Sequence, residues 1–171
     1  MALRSAKCYR KVKRPNTRVS KRTPRKSYVK GVPYPKIRSF ESGKKSDSLK
    51  TRAYLVSGEE GNLRHNALEA ARVAANKNLE TAFPKQTYFM KVLVFPHHIL
   101  RENPIATGAG ADRYQTGMRL SFGRPSSTAA RVKKNQRIIE VRVPEGRENI
   151  AKETLKTASS KFPIKCSVVF E

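Results

Sequence analysis

The chain has 171 residues, with 37 Lys and Arg against 13 Asp and Glu, a formal net charge of +24. That length suits one domain with an extension, and that charge costs self-repulsion in a compact state unless a polyanion neutralises it. It argues against an ordinary compact enzyme and for nucleic acid, whose condensed counterions are released on binding, with an anionic membrane second. The longest apolar runs are short, as in Val92 to Phe95, so no transmembrane span is expected. The basic N-terminus lacks the apolar stretch of a secretory signal. Cys8 and Cys166 stand far apart with no second cysteine at metal-ligand spacing, which suits a reducing compartment without a zinc site or disulfide framework.

Residues 1–50 hold 17 Lys and Arg and only two acids, with Pro15, Pro24, Pro33 and Pro35 and few apolar side chains. Such a segment buries too little apolar surface to fold alone. It is either a solvated basic tail or an arm that orders along RNA. The cations expected on phosphate are Arg4, Lys7, Arg10, Lys11, Lys13, Arg14, Arg18, Lys21, Arg22, Arg25, Lys26, Lys36 and Arg38. Tyr9 and Tyr28 are available for base stacking. The arm is expected to add nothing to the core.

Gly43–Lys50 reads as a polar linker and Arg52–Ser57 as a short strand closed by a glycine turn. A helix follows from about Asn62 to Leu79, with Leu68, Ala71, Ala75 and Leu79 on one stripe and Pro84 beyond its end. Thr87–Phe95 is the strongest strand, ended by Pro96. His97 and His98 would point to opposite sides of a strand and make a poor shared metal site.

Ile105–Arg124 contains Gly108, Gly110, Gly117 and Gly123 and no regular hydrophobic period before Met118. A long loop inside a small domain is usually functional or disordered. It lacks the register of a dinucleotide or phosphate loop, and no nucleophile, base and orienting group are selected by spacing, so no enzymatic activity and no cofactor or metal are expected. Arg113 and Arg119 can fork onto phosphate, Gln115 and Thr116 can bond bases or ribose, and Asp112 is placed to pair with Arg113 or Arg119. A loop whose arginines are merely solvated is the alternative. Arg124, Arg131 and Lys133 join the expected RNA contacts.

Beyond the loop, Ser126–Thr128 reads as a turn, and Ala129–Lys134 and Arg137–Val143 as strands paired through a Lys133–Gln136 turn. A second helix starts at Pro144–Glu145 and runs to about Lys161 with Ala151, Leu155, Ala158 and Phe162 as its stripe; Ile164–Phe170 closes the domain as a strand. From residue 51 the order is β-α-β-loop-β-β-α-β. The expected fold is α+β, a two-layer sandwich of two helices on a mostly antiparallel sheet, with residues 1–50 as a basic RNA-binding extension and 51–171 as the globular domain.

Ala109–Pro125, AGADRYQTGMRLSFGRP, resembles the central motif of the large-subunit ribosomal protein family called "L ten e" in archaea and eukaryotes and "L sixteen" in bacteria. Supporting matches are Cys8-Tyr9-Arg10, Gly31-Val32-Pro33, Lys36-Ile37-Arg38, Ala67–Arg72, Ala75-Asn76-Lys77, Val94–His98 and Lys161–Lys165, so the resemblance covers essentially the whole chain. It implies a hammerhead-like α+β domain seated between the central protuberance and the base of the factor-binding stalk. It implies partners in large-subunit rRNA, tRNA and neighbouring ribosomal proteins, with no membrane and no homo-oligomer, in the cytoplasmic ribosome. It implies a loop at 103–117, including Gly108, Gly110, Asp112, Arg113, Gln115 and Thr116, that points toward the peptidyl-transferase centre and helps position aminoacyl-site tRNA. Late assembly of the family is a checkpoint in subunit maturation, and the peptidyl transfer itself belongs to RNA. Tyr114, Leu120 and Arg124 depart from the eukaryotic pattern, the Lys13–Lys26 stretch is longer and more basic than expected, and the chain stops at Glu171 without the eukaryotic tail, which favours an archaeal-type protein. A free-standing RNA-binding regulator is the alternative function, and an RNA-modifying enzyme a third.

Overall fold

The computed structural model describes residues 3–11, 29, 31–84, 87–115 and 117–171. Eight strands and two α-helices form an α+β fold: β1 Glu41–Gly43, β2 Thr51–Ser57, β3 Gly61–Arg64, α1 His65–Ala82, β4 Phe89–Val92, β5 His98–Glu102, β6 Arg124–Val132, β7 Arg137–Val143, α2 Glu148–Ser159 and β8 Cys166–Phe170. The strands make two antiparallel sheets, a larger one ordered β1-β4-β7-β2-β8 and a smaller one ordered β3-β6-β5. The single expected sheet is therefore two.

The helical stripes behave as their spacing requires. Leu68, Ala71, Ala75 and Leu79 of α1 and Ala151, Leu155 and Ala158 of α2 are fully buried. The alanines let the helices approach closely; α1 packs on α2 and on β3 and β6, and α2 packs on β2, β7 and β8. Across the larger sheet, Leu55 and Val92 flank Ile139, and Ala53 and Met90 flank Val141, all facing that layer.

Three local readings are corrected. The helix begins at His65, not Asn62, because Asn62, Leu63 and Arg64 continue as β3 against β6 and Leu63 is fully buried there. Ser126–Thr128 is not a turn but part of β6. Two of its hydroxyls are bonded to neighbouring elements: the exposed Ser126 donates from Oγ to the Leu100 carbonyl at 3.2 Å, and the buried Thr128 Oγ1 lies 2.9 Å from His65 Nδ1. Finally, β6 and β7 do not pair. Each already has two neighbours in its own sheet, so the turn at 133–136 carries the chain from one sheet to the other, with Asn135 in the left-handed region at φ 61°.

The expectation that residues 1–50 add nothing to the core is also corrected. Ile37 belongs to the main hydrophobic cluster, β1 extends the larger sheet, and Tyr9 forms a second cluster with Leu100 and Ala129.

Candidate nucleic-acid interface

The N-terminal segment is bound to the outside of the smaller sheet. A short 3-10 turn, Ala6–Tyr9, delivers Tyr9 to a site where it is 7% exposed. Its hydroxyl donates to Glu102 Oε1, its carbonyl accepts from Asn62 Nδ2 at 3.0 Å, and the Arg64 guanidinium lies over its ring, 5.2 Å from the centroid. Burial, then the Glu102 carboxylate, pushes the phenol from its ordinary 10.0 up to about 12. Asn62 N–H donates to the Arg10 carbonyl at 3.1 Å, and Arg64 donates to the Arg4 carbonyl at 2.7 Å. Tyr9 is thus a structural anchor, not the exposed stacking ring expected of it.

This anchoring places Arg10 and Lys11 beside the strand ends of β3 and β6. Together with Arg131, Lys133 and Lys134 they line an open cleft of about 1030 Å³, floored by Gly58, Gly61 and Val132. Two acids, Glu59 and Glu60, also line it, and Glu59 takes an ion pair from Arg10 at 2.6 Å. Five cations against two acids leave the groove net positive, the charge that a nucleic-acid backbone meets. Gly61 is required for the arrangement: a Cβ there would stand 2.8 Å from Ile164 Cγ2 and 3.2 Å from the Arg10 carbonyl.

The second part is the 103–123 loop between β5 and β6. Its root is tightly built. Glu102 pairs with Arg124 in the ladder and accepts from Tyr9, while a Cβ on Gly123 would fall 2.8 Å from the Glu102 carbonyl carbon. The Arg101 guanidinium lies 4.0 Å above the Phe122 ring. Farther out, the Gln115 side-chain amide brackets one residue: Ala106 N–H donates to Oε1 at 2.9 Å and Nε2 donates to the Ala106 carbonyl at 2.7 Å. Gln115 closes the loop on itself. Beyond it the chain makes a 3-10 turn, Ala111–Arg113, capped by Gly110 in the left-handed region at φ 76°. Gly108, Asp112, Arg113, Tyr114, Met118, Arg119 and Leu120 are exposed around this tip. Among the described residues Asp112 pairs with neither Arg113 nor Arg119.

The structure therefore brings Arg10, Lys11, Arg131 and Lys133 into one cleft, and sets Arg113 and Arg119 on the loop. Arg4 and Lys7 lie exposed on the anchored segment, and Arg124 at the loop root. Lys36 and Arg38 are exposed on a separate stretch beside α1, where Glu69 accepts from the Arg38 backbone N–H at 3.3 Å. Lys13, Arg14, Arg18, Lys21, Arg22, Arg25, Lys26, Tyr28 and Thr116 lie outside the described residues. Lys134, Glu59 and Glu60 line the cleft without having been expected there; the only sequence signal for them is the doublet Lys133-Lys134.

A basic α+β domain with an anchored cationic extension and a long rooted loop is the build of a ribosomal protein. The family model described as "Ribosomal protein L16p/L10e" matches residues 13–169, and the chain belongs to that family. It is 47% identical over 171 residues to "Large ribosomal subunit protein uL16" of Staphylothermus marinus, covering 100% of this chain and 95% of that protein. Proteins of the same name from Hyperthermus butylicus (45% over 164 residues; 96% and 91% covered) and Methanococcus aeolicus (41% over 169; 99% and 94%) are similarly related. The chain is an archaeal-type structural constituent of the large subunit of the cytoplasmic ribosome, and not an enzyme.

Proposed function

We propose that the chain binds large-subunit rRNA through the Arg10–Lys11–Arg131–Lys133–Lys134 cleft, and that residues 103–117, within the loop between β5 and β6, help position aminoacyl-site tRNA near the peptidyl-transferase centre. The observation that carries the first part is the convergence of five cations, drawn from the N-terminal segment and the β6 end, on one open groove. Residues 1–50 act in this reading as an RNA-binding extension held to the 51–171 domain by Tyr9, Ile37 and β1. The second part rests on the loop: its root is fixed by Glu102 and Gly123, while its tip leaves Arg113 and Arg119 free to meet phosphate.

The test for the cleft is salt titration of binding to large-subunit rRNA fragments. Lys133→Ala with Lys134→Ala should lower affinity uniformly across fragments and reduce the slope of log affinity against log salt by about 1–2. An unchanged slope would remove the cleft from the interface. For the loop, subunits assembled with Arg113→Ala should hold aminoacyl-site tRNA more weakly while the free protein melts at the wild-type temperature. Normal tRNA occupancy would show that the tip is not a tRNA contact.

A further inference from the structure

The stretch after β4 alternates. Val92, Val94 and Pro96 are buried, and Leu93, Phe95 and His97 are exposed. Phe95 stacks on Phe40, with ring centroids 5.4 Å apart and planes inclined by 21°. The His97 ring lies 4.5 Å from Phe95 at 43°. Phe40 itself packs against the main core. Three rings thus form a short column that begins on the core and ends in solvent at His97, with Phe95 45% exposed along its side.

A half-exposed column of rings has no packing reason to exist on an isolated domain, since each exposed face gives up part of the area that would stabilise it in the core. The chemistry around it selects the ligand. From Thr81 to Arg101 the chain carries no acid, and the nearest acid on β1, Glu41, is neutralised by Lys91 at 2.5 Å. Phe40 follows the exposed cations Lys36 and Arg38. A flat π-surface, a flanking stretch without acids and cations close by in the chain suit an unpaired nucleobase with its phosphates on the cations, whereas an apolar peptide would need more apolar area than these rings offer.

We propose that Phe40, Phe95 and His97 form a stacking seat for one unpaired RNA base, separate from the cleft and from the loop tip. The inference rests on the rRNA-binding reading above and adds to it a site that reads base planes where the cleft reads phosphate.

The test uses the full chain with a short single-stranded oligoadenylate carrying 2-aminopurine, in the presence of excess unlabelled RNA duplex to occupy purely electrostatic sites. His97→Ala should weaken binding about 5- to 150-fold and abolish the fluorescence quenching that stacking produces, leave the salt slope unchanged, and leave duplex binding unchanged. His97→Tyr, which restores a ring, should restore both affinity and quenching. Because His97 is exposed, the Ala variant should melt with the wild type. If wild type and His97→Ala bind and quench alike while rRNA binding persists, the seat is overturned and the cleft reading stands. If His97→Ala instead loses a cross-link to a neighbouring protein in assembled subunits but keeps its oligonucleotide affinity, the column is a protein contact and the proposal fails. If the wild type binds no rRNA fragment at all, the rRNA-binding reading falls first.

Discussion

Tyr9 shows how far a single residue can move between sequence and structure. In a run of lysines and arginines a tyrosine is naturally assigned to RNA, because nothing local offers it a core. The core it finds lies far along the chain, where Leu100 and Ala129 leave a gap and Glu102 offers an acceptor. Gln115 likewise has a partner that sequence does not show: its side-chain amide bonds the backbone of Ala106. Tyr9→Phe keeps the ring and removes the bond to Glu102, so it should cost about 1–2 kcal/mol in urea unfolding. A loss of less than a few tenths would mean the ring alone holds the segment. The pH dependence has a definite sign. The folded-state phenol is raised from 10.0 to about 12, so its contribution is present below pH 10, and is lost as pH climbs toward 12. Tyr9→Phe should lack that alkaline limb. His65 behaves in the opposite sense: burial first, then Lys36 and Arg64, lowers its pKa. Its neutral form is the one that fits beside Thr128. That contribution is present above the ordinary imidazole range and lost as pH falls below it, and His65→Gln should flatten the acid limb.

At the scale of elements, the two helices and the strands β2, β7 and β8 were legible because their hydrophobic pattern is strong and Pro84 and Pro163 stand beyond the helix ends, whereas β1, β3 and β5 were not. Pairing was not. β6 and β7 sit four residues apart with a polar turn between them, which is the signature of a hairpin, yet both are central strands of different sheets. Only long-range partners decide that, and those are set by buried alanines such as Ala129 and Ala130 that carry no strand signal of their own. The loop was legible as a loop; its rooting was not, because Gly123, Glu102 and Tyr9 meet only in space. Gly123→Ala isolates that rooting. Its methyl group would press on the Glu102 backbone, at 2.8–3.0 Å from N, C and O, and no flexible side chain is there to yield. The expected cost is about 1–3 kcal/mol, together with faster proteolysis within 103–123. Deleting 107–115 should do the reverse: it removes exposed residues and the Gln115 bracket, spares the buried core and leaves the melting temperature near wild type. A collapse of the domain on that deletion would show that the loop stabilises the sheet it hangs from.

The whole molecule is organised by where its few acids are spent. On the larger sheet, Glu41 pairs with Lys91 at 2.5 Å, Glu140 with Arg142 at 2.5 Å and Glu171 with Arg137 at 2.6 Å, with the Arg137 guanidinium 4.1 Å above the Tyr54 ring. Three of the 13 carboxylates are thus held in one set of local pairs, and the excess of +24 is left to other surfaces, the cleft and loop among them. The two exposed pairs, Glu41–Lys91 and Glu171–Arg137, contribute little each, whereas uncompensated like charges repel across the fold until salt shortens their reach from about 10 Å at 0.1 M to about 3 Å at 1 M. Repulsion should therefore outweigh pairing in the free protein. Its melting temperature is expected to rise as KCl is increased from low millimolar to several hundred millimolar, and on the proposed reading of the groove inorganic polyphosphate should raise it by mass action at far lower concentrations. Lys133→Ala with Lys134→Ala should blunt the polyphosphate effect while leaving most of the KCl effect, because the first depends on one groove and the second on the net charge. A melting temperature that falls with KCl would mean that the ion pairs on the sheet, not the excess charge, set the stability of the molecule off the ribosome.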